Sequence, residues 1–328
     1  MSPAAASRWA GLLTESRNPR SRRLDALPTA KVVALLLDED RRALVAAGRE
    51  RQAIARAARL ASDALASGGD VVLLGAGTSG RLAVLEAAEC PPTFGSDPRR
   101  IRAVMAGGQE SVFLAREGAE DRGDLGRTEG ARLGAGDLLV GISASSVTPF
   151  VRGALEAARE RGAKTVLLTC APGRGLTRLA DVVIAIKSGP EVLTGSTRLK
   201  AGSATKAALN AITTAAMVRL GKAYENLMVD LKPTSAKLVD RQRRIVAAAT
   251  RASDADVLRL LEESQGEVKT AIVMGRLGIG PDAARARIKA ASGHVRRALQ
   301  EATRESSNAR GTRTRGSTRV RGMLRTRP

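Results

Sequence analysis

Two periodicities divide the chain. Over residues 27–69 apolar residues recur at three- and four-residue spacing, which predicts helices ending at Gly68-Gly69. The period then shortens. "DVVLLGAG" (70–77), "IRAVMAGG" (101–108), "DLLVGISAS" (137–145), "KTVLLTC" (164–170) and "ADVVIAI" (180–186) are short runs rich in Val, Leu and Ile. Helical stretches separate most of them. That alternation predicts an α/β domain with a mainly parallel sheet and helices on both faces. Residues 196–227 read as one long helix with an Ala-rich face. From about Ser235 the pattern is purely helical, with breaks expected at Gly266, at Gly278-Ile279-Gly280 and at Gly293, and with Pro281 in a first turn.

The expected organisation is an N-terminal helical arm (1–54), a sheet domain (55–230), a small C-terminal helical, UBA-like module (231–302) and a tail (303–328). The tail, "TRESSNARGTRTRGSTRVRGMLRTRP", holds eight arginines and one glutamate and reads as disordered. The formal net charge of +21 is partly its doing. Non-specific polyanion contact is the most the tail implies. Only 2% of residues are aromatic, too few for base stacking, so nucleic acid is not an expected partner of the body. There is no run of about 18 apolar residues for a membrane span, and the N-terminus does not read as a signal peptide. Two distant cysteines, Cys90 and Cys170, fit a reducing, cytoplasmic setting. The single histidine, His294, leaves no basis for a His-based metal site.

Candidate chemistry gathers at strand ends. "GAGTSGR" (75–81) lacks the Walker lysine and the full dinucleotide spacing of glycines. Gly77, Thr78 and Ser79 nevertheless offer a turn, two hydroxyls and the free N–H groups of a helix start, which suit a phosphate. A tight turn that needs glycine for steric reasons accounts for the same residues. "GISASSVTPF" (141–150) adds Ser143, Ser145, Ser146 and Thr148, with Thr148 and Pro149 also suited to opening a helix. Two hydroxyl-rich turns at two strand ends point to a small phosphorylated ligand. Glu89 is a carboxylate in an otherwise apolar run close to the first turn.

At this point the chain resembles a known family. "TESRNPRSRRLDALPT" (14–29), "GAGTSGRLAVLEAAECPPTFG" (75–95), "AREGAED" (115–121), "EVLTGSTRLKAGSATK" (191–206) and "NLMVDLKPTSAKLVDRQRRIV" (226–246) are similar, in order, to the N-acetylmuramic acid 6-phosphate etherases, a branch of the SIS-domain sugar-phosphate proteins. The resemblance implies a SIS-type sandwich and a cofactor-free lyase that acts in cell-wall sugar recycling as a homodimer, with sites near the subunit interface. It implies Glu89 as general acid for the departing lactate and Glu120 as the second catalytic carboxylate, plausible as the C2 base. Thr78, Ser79, Ser143, Ser145 and Thr148 then match hydroxyls around the sugar phosphate. Ser196, Thr197 and Lys200 match a further substrate-side block, with Lys200 placed to meet phosphate or lactate.

One block departs from the pattern. Where the family has Ala-Ser-Gly-Arg-Thr-Pro-Tyr, this chain has "ASSVTPF" (144–150), so Ser146 stands for a glycine and Val147 for an arginine. A positive φ at Ser146 would cost about 1 kcal/mol or more. Two other readings share the fold: a non-catalytic sugar-phosphate regulator of the glucokinase regulatory protein type, and a sugar-phosphate isomerase.

Overall fold

A computed structural model describes residues 12–172, 175–233 and 235–300. The arginine-rich segment 303–328 lies outside the described residues. The chain divides between Arg219 and Leu220 into two compact units. Among the described residues no helix is long and apolar enough to cross a membrane.

The first unit opens with short turns over Leu13–Ala26, then helices α1 (Thr29–Arg49) and α2 (Arg51–Ala66). Five strands follow where the Val, Leu and Ile runs predict them: β1 (Val71–Gly75), β2 (Ile101–Met105), β3 (Leu138–Ile142), β4 (Lys164–Thr169) and β5 (Val182–Ala185). Helices α3 (Gly77–Phe94), α4 (Gly123–Gly130) and α5 (Pro149–Glu160) connect them, and α6 (Lys200–Arg219) closes the unit. The sheet is parallel throughout, in the order β2-β1-β3-β4-β5. This is the α/β sandwich expected from the alternation.

Strands buried on both faces need apolar side chains on both, hence the unbroken runs. On one face Val72, Leu74, Leu139 and Leu167 pack with Phe150, Val151, Ala154 and Leu155 of α5. Helices α2 and α3 cover the other face, and α6 lies against α1, α2 and α3. Leu73, Leu74, Leu138, Leu139, Leu167 and Leu168 are fully buried, each worth about 1.5–3 kcal/mol. Helix α1 inverts the usual pattern. Glu39, Ala43, Ala46 and Ala47 face inward, while Val33, Leu37, Leu44 and Val45 are exposed.

Helices α4 and α5 meet backbone to backbone. A Cβ on Gly126 would stand 1.9 Å from the Phe150 carbonyl oxygen, one on Gly130 2.2 Å from that of Ala154, and one on Gly153 2.1 Å from that of Gly123. Glycine is the only residue that permits this approach.

The expected single helix over 196–227 is shorter than predicted. Gly221 sits at φ 71° just beyond α6, a conformation that terminates a helix. Residues 223–228 instead form an antiparallel hairpin, β6 (Ala223–Tyr224) and β7 (Leu227–Met228). Tyr224, Leu227, Met228, Val229 and Leu231 belong to the core of the second unit, so the division falls earlier than position 230. The rest of that unit is α7 (Ala236–Thr250), α8 (Asp254–Glu263), α9 (Val268–Leu277) and α10 (Pro281–Ala290). Its breaks coincide with Gly266, Gly278 and Gly293, all at positive φ, and Pro281 opens α10.

The α4–α5 contact is testable. Gly126→Ala is expected to destabilise the protein by about 2 kcal/mol or more, because overpacking here meets rigid backbone. Gly134→Ala, with open space around its Cβ, should leave the denaturation midpoint nearly unchanged.

Candidate active site

The sheet order fixes where a ligand can lie. The chain leaves β1 toward β2 and returns to the other side of β1 as β3, so the crevice opens beyond the carboxyl ends of β1 and β3. Gly75 is in register with Ile142, which sets the Gly77 turn beside the Ser143–Thr148 turn. The predicted hydroxyl turns are therefore neighbours.

In the first turn, Gly77 takes φ 54° and begins α3. A Cβ on Gly80 would meet the Gly75 carbonyl oxygen at 2.7 Å, so the helix springs directly from the strand end. Thr78 and Ser79 are half-buried in the first helical turn. The start of α6 lies alongside, since a Cβ on Gly202 would stand 3.7 Å from Thr78 Cγ2.

The second turn is more tightly built. Ser143 is buried, and its Oγ lies 2.8 Å from Thr148 Oγ1. Thr148 occupies the N-cap position of α5 with Pro149 in the first turn, but its hydroxyl turns to Ser143 and makes no capping hydrogen bond. Ser146 has φ 60°, the left-handed conformation expected of the glycine it replaces. Its side chain is buried, with Oγ 2.7 Å from Thr169 Oγ1. The Ser146 hydroxyl thus braces the turn from beneath, while Ser145 and Thr148 remain half-buried at the surface of the crevice.

Glu120 is exposed on a short turn, Ala119–Asp121, that follows Gly118 at φ 72°. Two cavities share it. One, of about 310 Å³, is lined by Leu12, Glu15, Glu120, Ser145, Val147 and Thr148. The other, of about 200 Å³, is lined by Gly77, Arg81, Ser111, Arg116, Glu117 and Glu120 among others. Glu89 lines neither. It is exposed on α3, eleven residues beyond Thr78, or about 16 Å along the helix axis. A single chain does not bring the two catalytic candidates together.

Ser196 and Thr197 form the turn before α6, where the Ser196 N–H donates to the Leu193 carbonyl and the Thr197 N–H to that of Gly195. They line neither cavity. Lys200 corrects the expectation of a ligand contact. It is 3% exposed, and its Nζ lies 2.5 Å from Glu39 Oε2. Asn18 Nδ2 donates to the same carboxylate at 3.1 Å and to the Pro190 carbonyl at 3.0 Å, while Arg20 Nη1 reaches Glu39 Oε1 at 2.6 Å. Burial pushes the Glu39 carboxyl up, but hydrogen bonds from Lys200, Arg20 and Asn18 together with the nearby Lys200 charge outweigh it and hold the group below the ordinary value. The cluster pins the segment 12–21 across the loop that precedes α6. Glu86, beside Glu89 on α3, is buried and accepts from Asn210 Nδ2 at 2.8 Å and Thr213 Oγ1 at 2.5 Å. Burial raises its pKa, and raises that of Cys90 to about 12, which leaves that thiol inert.

Sequence reasoning missed Glu39, Asn18, Arg81 and Glu15. One signal was available for Glu39, which shares a helical face with Ala43, Ala46 and Ala47, so a charge on a small-residue stripe announces a buried partner.

The sequence matches the Glucokinase regulatory protein N-terminal SIS domain over residues 53–159 and the SIS domain over residues 120–215. An N-acetylmuramic acid 6-phosphate etherase of Rubrobacter xylanophilus is 48% identical over 295 residues, 89% of this chain and 97% of the relative. One from Cutibacterium acnes is 48% identical over 290 residues, 88% of this chain and 95% of its own. Among solved structures, a phosphoheptose isomerase from Francisella tularensis is similar over 57% of this chain and 100% of its own, at 19% identity and a TM-score of 0.45.

Two outcomes test the local geometry. Ser146→Gly relieves the left-handed strain and loses one buried hydrogen bond, terms of about 1 kcal/mol each, so urea denaturation should show almost no change. Lys200→Met should cost about 3 kcal/mol, the low end for a broken buried pair because Arg20 and Asn18 still hold Glu39. The Glu39 contribution is present above the ordinary glutamate range, about pH 4.3, and is lost as pH falls through the lower folded value. The stability gap between wild type and Lys200→Met should therefore narrow in acid.

Proposed function

The chain belongs to the N-acetylmuramic acid 6-phosphate etherase family, and from that premise we propose that it cleaves the D-lactyl ether of N-acetylmuramic acid 6-phosphate to N-acetylglucosamine 6-phosphate and D-lactate. The observation that carries the reading is similarity to etherases along nearly the whole chain, through the blocks holding both glutamates. We place the reaction in the cytoplasm, in cell-wall sugar recycling, without a cofactor.

In the open-chain sugar the C2 hydrogen is acidified by the neighbouring aldehyde, and the ether oxygen sits on C3. Removal of that proton with protonation of the ether oxygen expels lactate, and water then adds to the C2–C3 double bond. Glu120 takes the base role. It stands where the hydroxyl-lined cavity meets the one beside Gly77. The 6-phosphate rests against Ser145 and Thr148, at the start of α5, where the helix end favours an anion. Thr78 and Ser79 flank it from α3. Glu89 donates the proton to the leaving oxygen. Because it lies outside both cavities of one chain, we assign this step to a homodimer, in which an exposed α3 face of one subunit reaches the cavities of the other.

Purified protein given N-acetylmuramic acid 6-phosphate should release D-lactate. Glu120→Gln and Glu89→Gln should each lower kcat by about 100-fold or more. Folded wild-type protein that binds the sugar phosphate without releasing lactate would reject the lyase reading in favour of a non-catalytic regulator, and formation of a ketose phosphate would indicate an isomerase.

A further inference from the structure

N-acetylmuramic acid 6-phosphate carries two anionic ends, the phosphate and the lactyl carboxylate. The Ser145–Thr148 side accounts for the first. The second has a candidate receiver across Glu120, in the cavity of about 200 Å³ beside Gly77.

Arg81 lies on that wall, in the second turn of α3. Its Nε donates to the Val112 carbonyl at 2.8 Å and its Nη2 to the Ser111 carbonyl at 2.9 Å. Both acceptors are neutral, and no carboxylate among the described residues forms an ion pair with Arg81. Arg116, on the same cavity, differs: it is paired with Glu110. Two backbone carbonyls therefore fix the Arg81 guanidinium while leaving its charge unneutralised and Nη1 free to donate. A fixed guanidinium is the side chain best suited to a carboxylate. Ser111, on the same wall, is 2% exposed with a hydroxyl that has no hydrogen-bond partner among the described residues. Glu117 and Glu120 line the cavity as well and disfavour an anion near them, which leaves the Arg81 end.

We propose that Arg81 receives the lactyl carboxylate and so determines specificity in the lyase reaction, an inference that rests on the reading given above. The substrate then lies across Glu120 with phosphate on the hydroxyl side and lactate on the guanidinium side. This places C3, which stands between those ends, and its neighbour C2 against the base.

The experiment compares kcat/KM for N-acetylmuramic acid 6-phosphate and for its lactyl amide, which is isosteric and neutral at the lactyl end. Wild type should prefer the acid by roughly 10- to 100-fold, the scale of a hydrogen bond to a charged group. Arg81→Gln should bring the ratio close to one while its calorimetric Kd for N-acetylglucosamine 6-phosphate, which lacks the lactyl group, stays at the wild-type value. A purely structural role would weaken both sugars alike. An unchanged acid-to-amide ratio in Arg81→Gln overturns the assignment. If that variant does not fold, Arg81→Lys carries the test: it keeps the charge and loses the fixed fork, so a reduced ratio supports the proposal and a wild-type ratio overturns it. Wild type that cleaves neither compound, releasing no lactate from the acid and no lactamide from the amide, overturns the lyase reading, and this inference with it. Cleavage of both at equal rates, with lactate released from the acid and lactamide from the amide, overturns the carboxylate assignment alone.

Discussion

Adjacency of β1 and β3 is the constraint on which the site depends. Their register, Val71 with Leu138 through Gly75 with Ile142, brings two strand ends side by side although the turns that follow them are far apart in sequence. Every hydroxyl assigned to the 6-phosphate hangs from that junction. Helix α3 starts on one strand end with no intervening loop, and α5 starts beyond the other after a turn braced from below by Ser146 and Thr169. Because the strands are buried on both faces, neither turn can shift without moving the sheet. The rigidity of a packed core is thereby passed to the crevice.

Buried charge provides a second level of control. Glu39 and Lys200 are both nearly inaccessible, and a hydrophobic pair of similar size would often hold a helix contact as well. What an apolar pair could not do is gather hydrogen bonds from Asn18 and Arg20 at the same point. The cluster orders the segment that carries Leu12 and Glu15 into the wall of the crevice. Serine in the left-handed position at 146 follows similar logic: a local cost is offset by a buried hydroxyl contact with Thr169, whose own oxygen also serves Ala144 and Ala171.

Much of this was legible in the sequence because it is periodic or conformationally forced. The five strands are apolar runs of the right length, and the glycines at 266, 278 and 293 mark left-handed helix ends. The left-handed conformation of Ser146 was readable from the glycine it replaces. What escaped depended on long-range pairing. A lysine in "TRLKAG" gives no hint that its partner lies in α1, and the helix over 196–227 lost its end to a hairpin whose Tyr224 and Leu227 serve another core. Glu89 and Glu120 show the same limit. Their residue types suggest acid and base, but one lines both crevice cavities and the other neither, and only three-dimensional placement separates them.

The Glu39–Lys200 pair spans 161 residues of chain. On a ribosome adding about 5–20 residues per second, Glu39 is made roughly 8 to 32 s before its lysine. Throughout that interval α1 holds a carboxylate meant for the interior whose lysine partner has not yet been made. The pair that ties α1 to α6 therefore forms only after the start of α6 has been made. The hydrogen bond from Asn18 likewise requires that the Pro190 carbonyl has been made. The crevice wall formed by Leu12 and Glu15 thus depends on a contact that reaches across 172 residues of chain.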